Sequence, residues 1–196
     1  MLSSKAALRR AALARRAALP LAEIARRSAL LAEQIFQHFP VAEWRWLHVF
    51  LPLTAKNEPD TWPLIRRIWA EKLPLRLAAP VVQPAGRSLR HYELTPTTPL
   101  LASRWGIPEP AAAPAAEVAP AAFDAVLVPL LACDATGHRV GYGKGFYDRL
   151  LAQCRPDCCF IGLQVLDEAP VPALADALPT DIRLTACLTP SGIWRF

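Results

Sequence analysis

No apolar run in the sequence is long enough to cross a bilayer. The longest apolar stretches, residues 47–53 and 125–133, fall well short of the roughly 20 residues that a transmembrane helix needs. The arginine-rich N-terminus also lacks an apolar block followed by a cleavage pattern, and it has few of the serines of a transit peptide. We therefore expect a soluble cytoplasmic protein that makes no membrane contact and keeps its N-terminal helix.

The cysteines lack the paired spacing of a secreted disulfide framework. Their number is odd, and they stand at positions 133, 154, 158, 159 and 187. A zinc site at Cys154, Cys158 and Cys159 is the weaker interpretation, because no C-x-x-C pair and no nearby histidine completes a tetrahedral set. We expect reduced thiols that pack as small apolar residues.

Acidic residues are nearly missing from the first 27 residues. A single glutamate, Glu23, stands there against seven basic residues, so this segment carries +6 and the rest of the chain −1, for a formal net charge of +5. A nucleic-acid surface should also bring aromatic stacking residues or a reading motif, and the segment has neither. We expect no nucleic-acid partner and favour a local site for an anionic small molecule. The seven basic residues are Lys5, Arg9, Arg10, Arg15, Arg16, Arg26 and Arg27.

Helical and extended patterns alternate along the 196 residues, which are enough for one domain spanning 1–196. Ser3 and Ser4 can cap the first helix. The order strand, helix, strand over residues 46–82 predicts parallel pairing, hence an α/β fold with a mainly parallel sheet. The proline-rich segment 96–120 is interpreted as a loop. Helices are predicted up to residue 19 and at 21–39, 61–73, 147–154 and 173–177, and strands at 46–51, 75–82, 91–94, 123–133, 160–165 and 186–189.

A glycine-rich turn, GYGKG, follows the strongest predicted strand. Gly141, Gly143 and Gly145 let the backbone turn sharply and bring its N–H groups against a phosphate. Lys144 adds a charge, and Arg139 can grip two phosphate oxygens. The pattern is neither the P-loop, because no Ser or Thr follows the lysine, nor the dinucleotide fingerprint. The residues alone therefore predict an unspecified phosphate site, with a plain surface turn as the alternative.

Three further charged residues each have two interpretations. Asp148 lies in the first turn of the following helix, where a carboxylate is either a helix cap or, if phosphates occupy the turn, a ligand of Mg²⁺. Lys5 and Arg9 are four residues apart and share one helix face, as a solvated stripe or as a basic pair that binds an anion. The residues by themselves leave both choices open.

The stretch VPLLACDATGHRVGYGKGFYDRLL resembles the signature of the 5-formyltetrahydrofolate cyclo-ligase family, also called methenyltetrahydrofolate synthetase. A fainter resemblance covers Lys5 and Arg9, the loop 53–61, Gly-Ile-x-Glu-Pro at 106–110 and the end 181–189. It implies a three-layer, Rossmann-like α/β fold with helices on both sheet faces. It also implies an ATP- and Mg²⁺-dependent ligase that converts 5-formyltetrahydrofolate to 5,10-methenyltetrahydrofolate and releases ADP and phosphate, by phosphoryl activation of the formyl oxygen.

The resemblance also implies the role of individual residues in a monomer that binds only small molecules. Lys144 and Arg139 would offset charge on the migrating phosphoryl group. Asp148 and Asp181 would serve Mg²⁺. Folate would contact Leu53, Glu58, Tyr142, Gly143, Lys144, Gly145 and Phe146. ATP would be bound by Lys5, Arg9, Arg139, Gly141, Tyr142, Gly143, Lys144, Gly145, Phe146 and Tyr147.

Several positions depart from the family's usual residues. Three alternatives to the implied reaction are also open. They are an α/β enzyme that acts on a phosphorylated small molecule without ATP, a nucleic-acid-binding module, and an inactive family member. Glu109 could either touch the ligand or shape its loop. The departures are Leu130 for Gly, Cys133 for Phe, Phe146 for Tyr, Arg183 for Pro and Thr185 for Asp.

Overall fold

The structure, a computed structural model, describes residues 4–83, 88–111 and 116–196. The helices are α1 (Lys5–Ala17), α2 (Leu21–His38), α3 (Trp62–Ala70) and α4 (Phe146–Leu151). The strands are β1 (Trp46–His48), β2 (Arg76–Val82), β3 (Leu89–Leu94), β4 (Leu100–Ala102), β5 (Pro108–Pro110), β6 (Ala125–Pro129), β7 (Ala132–Cys133), β8 (Arg139–Val140), β9 (Cys159–Leu163), β10 (Ala186–Thr189) and β11 (Gly192–Arg195).

Seven strands form one sheet in the order β11-β10-β9-β6-β1-β2-β3. The five strands from β10 to β2 are parallel, and β11 and β3 close the two edges antiparallel to their neighbours. The chain moves from β1 through α3 to β2 on one side, then returns to place β6 on the other side of β1. The strand order therefore reverses between β1 and β6, and such a crevice at the carboxyl ends of parallel strands is where open α/β sheets bind ligands.

Helices cover both faces of this sheet, so the predicted three-layer architecture is confirmed. On one face, apolar residues of α2 and α3 such as Ile35 and Ile65 pack with alternate strand residues such as Leu127. On the other face, Leu150 and Leu151 of α4 pack with the strand residues whose side chains point to that side of the sheet. Both side-chain sets of the central strands are thus buried, which explains why those strands are continuous apolar runs.

The N-terminal cap is partly confirmed. Ser4 caps α1 by accepting a hydrogen bond from the N–H of Ala7 at 3.2 Å. Ser3 lies outside the described residues. The remaining helices and the parallel pairing of β1 with β2 agree with the sequence pattern to within a few residues.

Three sequence predictions were wrong. The apolar run 123–133 is not one strand: it leaves the sheet after β6, where the N–H of Leu131 donates to Val140, and ends as the hairpin β7–β8. The presumed loop 96–120 contains the antiparallel pair β4–β5, although residues 112–115 of it lie outside the described part. The helix expected at 173–177 is absent, because Val171 and Leu174 bond to the hairpin instead.

The five cysteines carry free thiols, as expected. In the ranges that the structure describes, no group of three or more His, Cys, Asp or Glu side chains could hold a metal ion. No described helix is both long and apolar enough to cross a membrane.

Two histidines are buried together on the α4 side of the sheet. The rings of His48 on β1 and His91 on β3 lie 5.0 Å apart between centroids, and both contact Phe123. Neither nitrogen of His48 has a hydrogen-bond partner among the described groups. Burial, and then the neighbouring His91, lower the pKa of His48 well below its usual value, and burial lowers the pKa of His91 to about 4. Both rings are therefore neutral in the folded protein.

We expect the free energy of unfolding to fall as the pH drops from 6.5 to 4. Over this range the unfolded chain binds protons at both histidines while the folded chain does not, so protons favour unfolding. His91 alone should account for a loss on the order of 3 kcal/mol. Urea unfolding at several pH values measures the effect. His91→Phe should flatten the slope, exposed His38→Gln should not, and an unchanged slope in His91→Phe would contradict the assignment.

Leu130 occupies space that Gly162 leaves open. A Cβ added to Gly162 on β9 would lie 2.3 Å from Cδ2 of Leu130 and 2.7 Å from Cδ1 of Leu184, and both leucines are buried. Leu130 is therefore a packing residue of the core, fitted to the missing side chain of Gly162.

Gly162→Ala should lower the free energy of unfolding by about 1 to 3 kcal/mol, because two buried leucines must move. Gly192→Ala, where an added Cβ meets nothing within 4 Å, is the matched control. In a Leu130→Ala background the effect of Gly162→Ala should shrink, since the two sites share one volume. Additive losses in urea unfolding would count against this packing account.

Candidate functional site

A cavity of about 930 Å³ opens at the crevice between β1 and β6. Phe50 and Leu51, just after β1, line it together with Val82 at the end of β2 and Pro129 at the end of β6. Its volume lies at the upper end of the range for small-molecule sites, so it has room for more than one small ligand.

The predicted site residues all line this one cavity, although they come from four separate parts of the chain. Their individual roles remain predictions. The cavity-lining set contains Lys5 and Arg9 from α1, Leu53 and Glu58 from the loop after β1, Arg139 to Asp148 except Val140, and Asp181 near the C-terminus.

A buried carboxylate holds the hairpin that leads into the glycine turn. Oδ1 of Asp134 accepts hydrogen bonds from the N–H groups of Thr136 at 2.9 Å and His138 at 3.0 Å, and Oδ2 accepts one from Leu174 at 3.1 Å. Burial raises the pKa of Asp134, but these bonds outweigh it and lower the pKa below its usual value. The sequence analysis missed this residue, whose signal was the turn pattern Asp-Ala-Thr-Gly.

The glycine turn closes against α1. Gly143 and Gly145 have φ values of 80° and 66°, which L side chains rarely adopt. A Cβ on Gly143 would lie 3.3 Å from Nη2 of Arg9, and one on Gly145 would lie 2.9 Å from Nη1 of Arg149. Nε of Arg9 donates to the carbonyl of Gly141 at 2.6 Å. The turn and the basic helix are therefore in direct contact.

The same helix also contacts the C-terminal part of the chain. The backbone N–H of Lys5 donates to Oδ1 of Asp176 at 2.8 Å, and its ammonium forms an ion pair with Asp181. Lys5 and Arg9 therefore reach two different walls of the cavity from one helix face, as their spacing predicted.

The two predicted metal ligands are neighbours. Oδ1 of Asp148 accepts a hydrogen bond at 3.3 Å from the N–H of Ile182, the residue after Asp181, and pairs with Nη2 of Arg139 at 2.5 Å. Burial raises the pKa of Asp181, but the N–H of Leu178 and the ammonium of Lys5 lower it below its usual value. Two neighbouring carboxylates are ligands of the kind that Mg²⁺ takes alongside phosphate oxygens and water.

The loop after β1 carries a further carboxyl group, that of Glu58, in a more buried position. Oε2 of Glu58 accepts the N–H of Leu53 at 2.7 Å, and the side chain is 6% exposed. Burial raises the pKa of Glu58, against smaller opposing effects of Leu53, Tyr142 and Arg16. Burial also raises the pKa of the Tyr142 and Tyr147 hydroxyls. Apolar side chains also line the cavity, so it can bind a substrate that has an apolar part.

One wall of the cavity was not predicted. It comes from β4–β5 and includes Arg104, whose Cζ lies 4.1 Å from the ring centre of Trp105, and Glu109. Glu109 is 9% exposed, and burial raises its pKa. The Gly-Ile-Pro-Glu-Pro motif was the only sign of this wall in the sequence. Because proline is uncommon in strands, the motif did not predict the pair β4–β5.

Comparison with known proteins gives consistent results. Residues 1–189 match the model of the 5-formyltetrahydrofolate cyclo-ligase family. The 5-formyltetrahydrofolate cyclo-ligase of Escherichia coli strain K12 is 31% identical over 169 residues, covering 84% of this chain and 88% of that protein. The enzyme of the same name from Mycolicibacterium smegmatis is 35% identical over 130 residues, covering 59% of this chain and 62% of that protein.

Solved structures agree with the fold. A 5,10-methenyltetrahydrofolate synthetase from Aquifex aeolicus, solved by NMR, superposes with a TM-score of 0.81 at 27% identity and covers 97% of this chain and 92% of its own. A synthetase of the same name from Mycoplasma pneumoniae shares the fold, with a TM-score of 0.71 at 20% identity, covering 95% and 98%. The chain therefore belongs to the 5-formyltetrahydrofolate cyclo-ligase family and is a ligase.

Proposed function

We propose that the chain acts as one domain, residues 1–196, which converts 5-formyltetrahydrofolate to 5,10-methenyltetrahydrofolate with ATP and Mg²⁺ and releases ADP and phosphate. The observation that carries this proposal is the meeting of α1, the glycine turn and two carboxylates around a cavity that apolar side chains also line. Family membership supports the reaction class. The same reasoning favours a cytoplasmic monomer with small-molecule substrates and neither nucleic-acid nor membrane partners.

The triphosphate of ATP would bind where α1 meets the glycine turn. Arg9 is already oriented by the carbonyl of Gly141, and Lys144 is exposed in the turn. The open backbone of Gly143 and Gly145 can bring N–H groups to phosphate oxygens. Fixed donors and charges of this kind favour a polyphosphate over a neutral ligand.

Asp148 and Asp181 would hold Mg²⁺ together with phosphate oxygens. The ion would neutralise negative charge on the phosphoryl group. Each carboxylate is paired here with a cation, Arg139 or Lys5, that also lines the cavity. When Asp148 and Asp181 bind the metal ion instead, the side chains of Arg139 and Lys5 can turn to the phosphates.

The reaction needs activation because an amide-like formyl oxygen is a poor leaving group. In the proposed sequence that oxygen accepts the γ-phosphoryl group of ATP, and ADP departs. The second nitrogen of the folate then attacks the formyl carbon and loses its proton, the carbon–oxygen bond breaks, and the oxygen and the proton leave as hydrogen phosphate. Arg139, Lys144 and Arg9 stabilise the transferred charge and orient the reactants, so no protein nucleophile is needed.

Lys144→Ala should reduce ATP-dependent formation of the methenyl product by about a hundredfold or more, since it removes a charge that contacts the transferred group. Its melting temperature should stay near wild type because the side chain is exposed. Arg139→Ala should lose similar activity and also stability, because Asp148 and the carbonyl of Ile182 lose their partner. Product absorbance and ADP release measure turnover. Exposed Arg10→Ala is the control, and near-normal turnover in both cavity variants would sink the assignment.

Asp148→Asn and Asp181→Asn should each raise the Mg²⁺ concentration needed for half-maximal activity by about tenfold or more, because Mg²⁺ strongly prefers charged oxygen ligands. Calorimetry of Mg²⁺-dependent ATP binding gives a second readout that does not need turnover. Exposed Asp157→Asn, whose side chain pairs with nearby Arg155, serves as the matched control. Wild-type Mg²⁺ dependence in both cavity variants would show that other groups hold the ion.

A further inference from the structure

Arg16, near the end of α1, is a buried cation that the proposed mechanism does not use. It is 2% exposed, and its Nε has no hydrogen-bond partner in the described part of the chain. Its Nη2 donates to the hydroxyl of Tyr142, and Cζ lies 5.6 Å from the centre of that ring. Burying a guanidinium is unfavourable unless other groups compensate its charge. The compensating groups therefore indicate what Arg16 does.

One compensating group is the carboxylate of Glu58. The Tyr142 hydroxyl and the charge of Arg16 both lower the pKa of Glu58, against the larger effect of burial. The guanidinium and the phenol are hydrogen-bonded to each other. Together they stabilise the charged form of a carboxylate on a third segment of the chain.

The backbone of Arg16 supports the same loop. Its carbonyl accepts a hydrogen bond from Nδ2 of Asn57 at 3.0 Å, and the carbonyl of Leu19 accepts one from the same amide at 3.2 Å. Asn57 has a left-handed backbone, with φ of 50°, and immediately precedes Glu58. The end of α1 therefore orients the loop that carries Glu58 through both its side chain and its backbone.

Arg16 does not itself line the cavity, whereas Tyr142 and Glu58 do. We propose that Arg16 is a positioning residue that holds Tyr142 and Glu58 in the arrangement that binds the formylated folate. The inference rests on the proposed function, in which these two side chains contact that substrate. The effect of Arg16 falls mainly on the folate, because Glu58 is assigned to the folate alone, whereas Tyr142 is assigned to both substrates.

The test compares Arg16→Met, Arg16→Lys and the control Arg15→Met, whose side chain is half exposed and pairs with Glu168. In Arg16→Met the KM for 5-formyltetrahydrofolate should rise about tenfold or more while the KM for ATP changes less than about threefold, since the charged hydrogen bond that orients Tyr142 is lost. Arg16→Lys should restore part of the loss, and Arg15→Met should behave as wild type.

A double-mutant cycle with Tyr142→Phe distinguishes positioning from a general loss of structure. If Arg16 acts through the phenol, Arg16→Met should raise the folate KM much less in the Tyr142→Phe background. Removing the positive charge of Arg16 should also raise the pKa of Glu58. As the pH is lowered, Glu58 should therefore lose its charge, and folate binding should weaken, at a higher pH in Arg16→Met than in wild type.

The two proposals fail in different ways. A wild-type protein without ATP-dependent product formation would overturn the proposed function. An active wild type whose Arg16→Met variant keeps its folate KM, or whose two KM values rise equally, would overturn the role of Arg16. If Arg16→Met fails to fold in a melting experiment, Arg16→Lys decides: an unchanged folate KM and pH profile there would overturn the inference, and a selective rise in folate KM would support it.

Discussion

Charge balance inside the cavity is the constraint on which the rest of the structure depends. Several cations converge at the carboxyl ends of the parallel strands, where they would repel one another without partners. Asp181 and Asp148 pair with Lys5 and Arg139, and Glu58 lies near Arg16. These contacts also dock α1, hold the C-terminal loop and order the loop after β1. The cavity walls are thus assembled by the groups that are expected to meet the substrates.

Much of the fold could be predicted from the sequence because local patterns and tertiary packing agree. Ile24, Leu31 and Ile35 recur at helical spacing and are buried in α2. The continuous apolar run at β6 belongs to a strand that is covered on both faces. The glycine turn was recognisable because its backbone needs left-handed conformations that glycine adopts readily.

The failures have equally specific causes. The run 123–133 gives no sign that it leaves the sheet, because the half that enters the hairpin is as apolar as the half that lies in β6. Pro108 and Pro110 argue against a strand, but they lie in the short pair β4–β5, where few ladder bonds are needed. The burial of Arg16 depends on Tyr142, 126 positions away, so no local pattern could reveal it. Site roles required the family resemblance in addition.

The contact of Lys5 with Asp176 and Asp181 has a consequence for the order of folding during synthesis. These partners are separated by 171 and 176 positions, nearly the whole chain. Helix α1 therefore cannot take its final position until the segment with Asp176 and Asp181 has emerged from the ribosome. Until then Lys5 lacks its partners Asp176 and Asp181, and the cavity is incomplete. A truncated or stalled chain would thus carry an exposed cationic helix rather than a partly working enzyme.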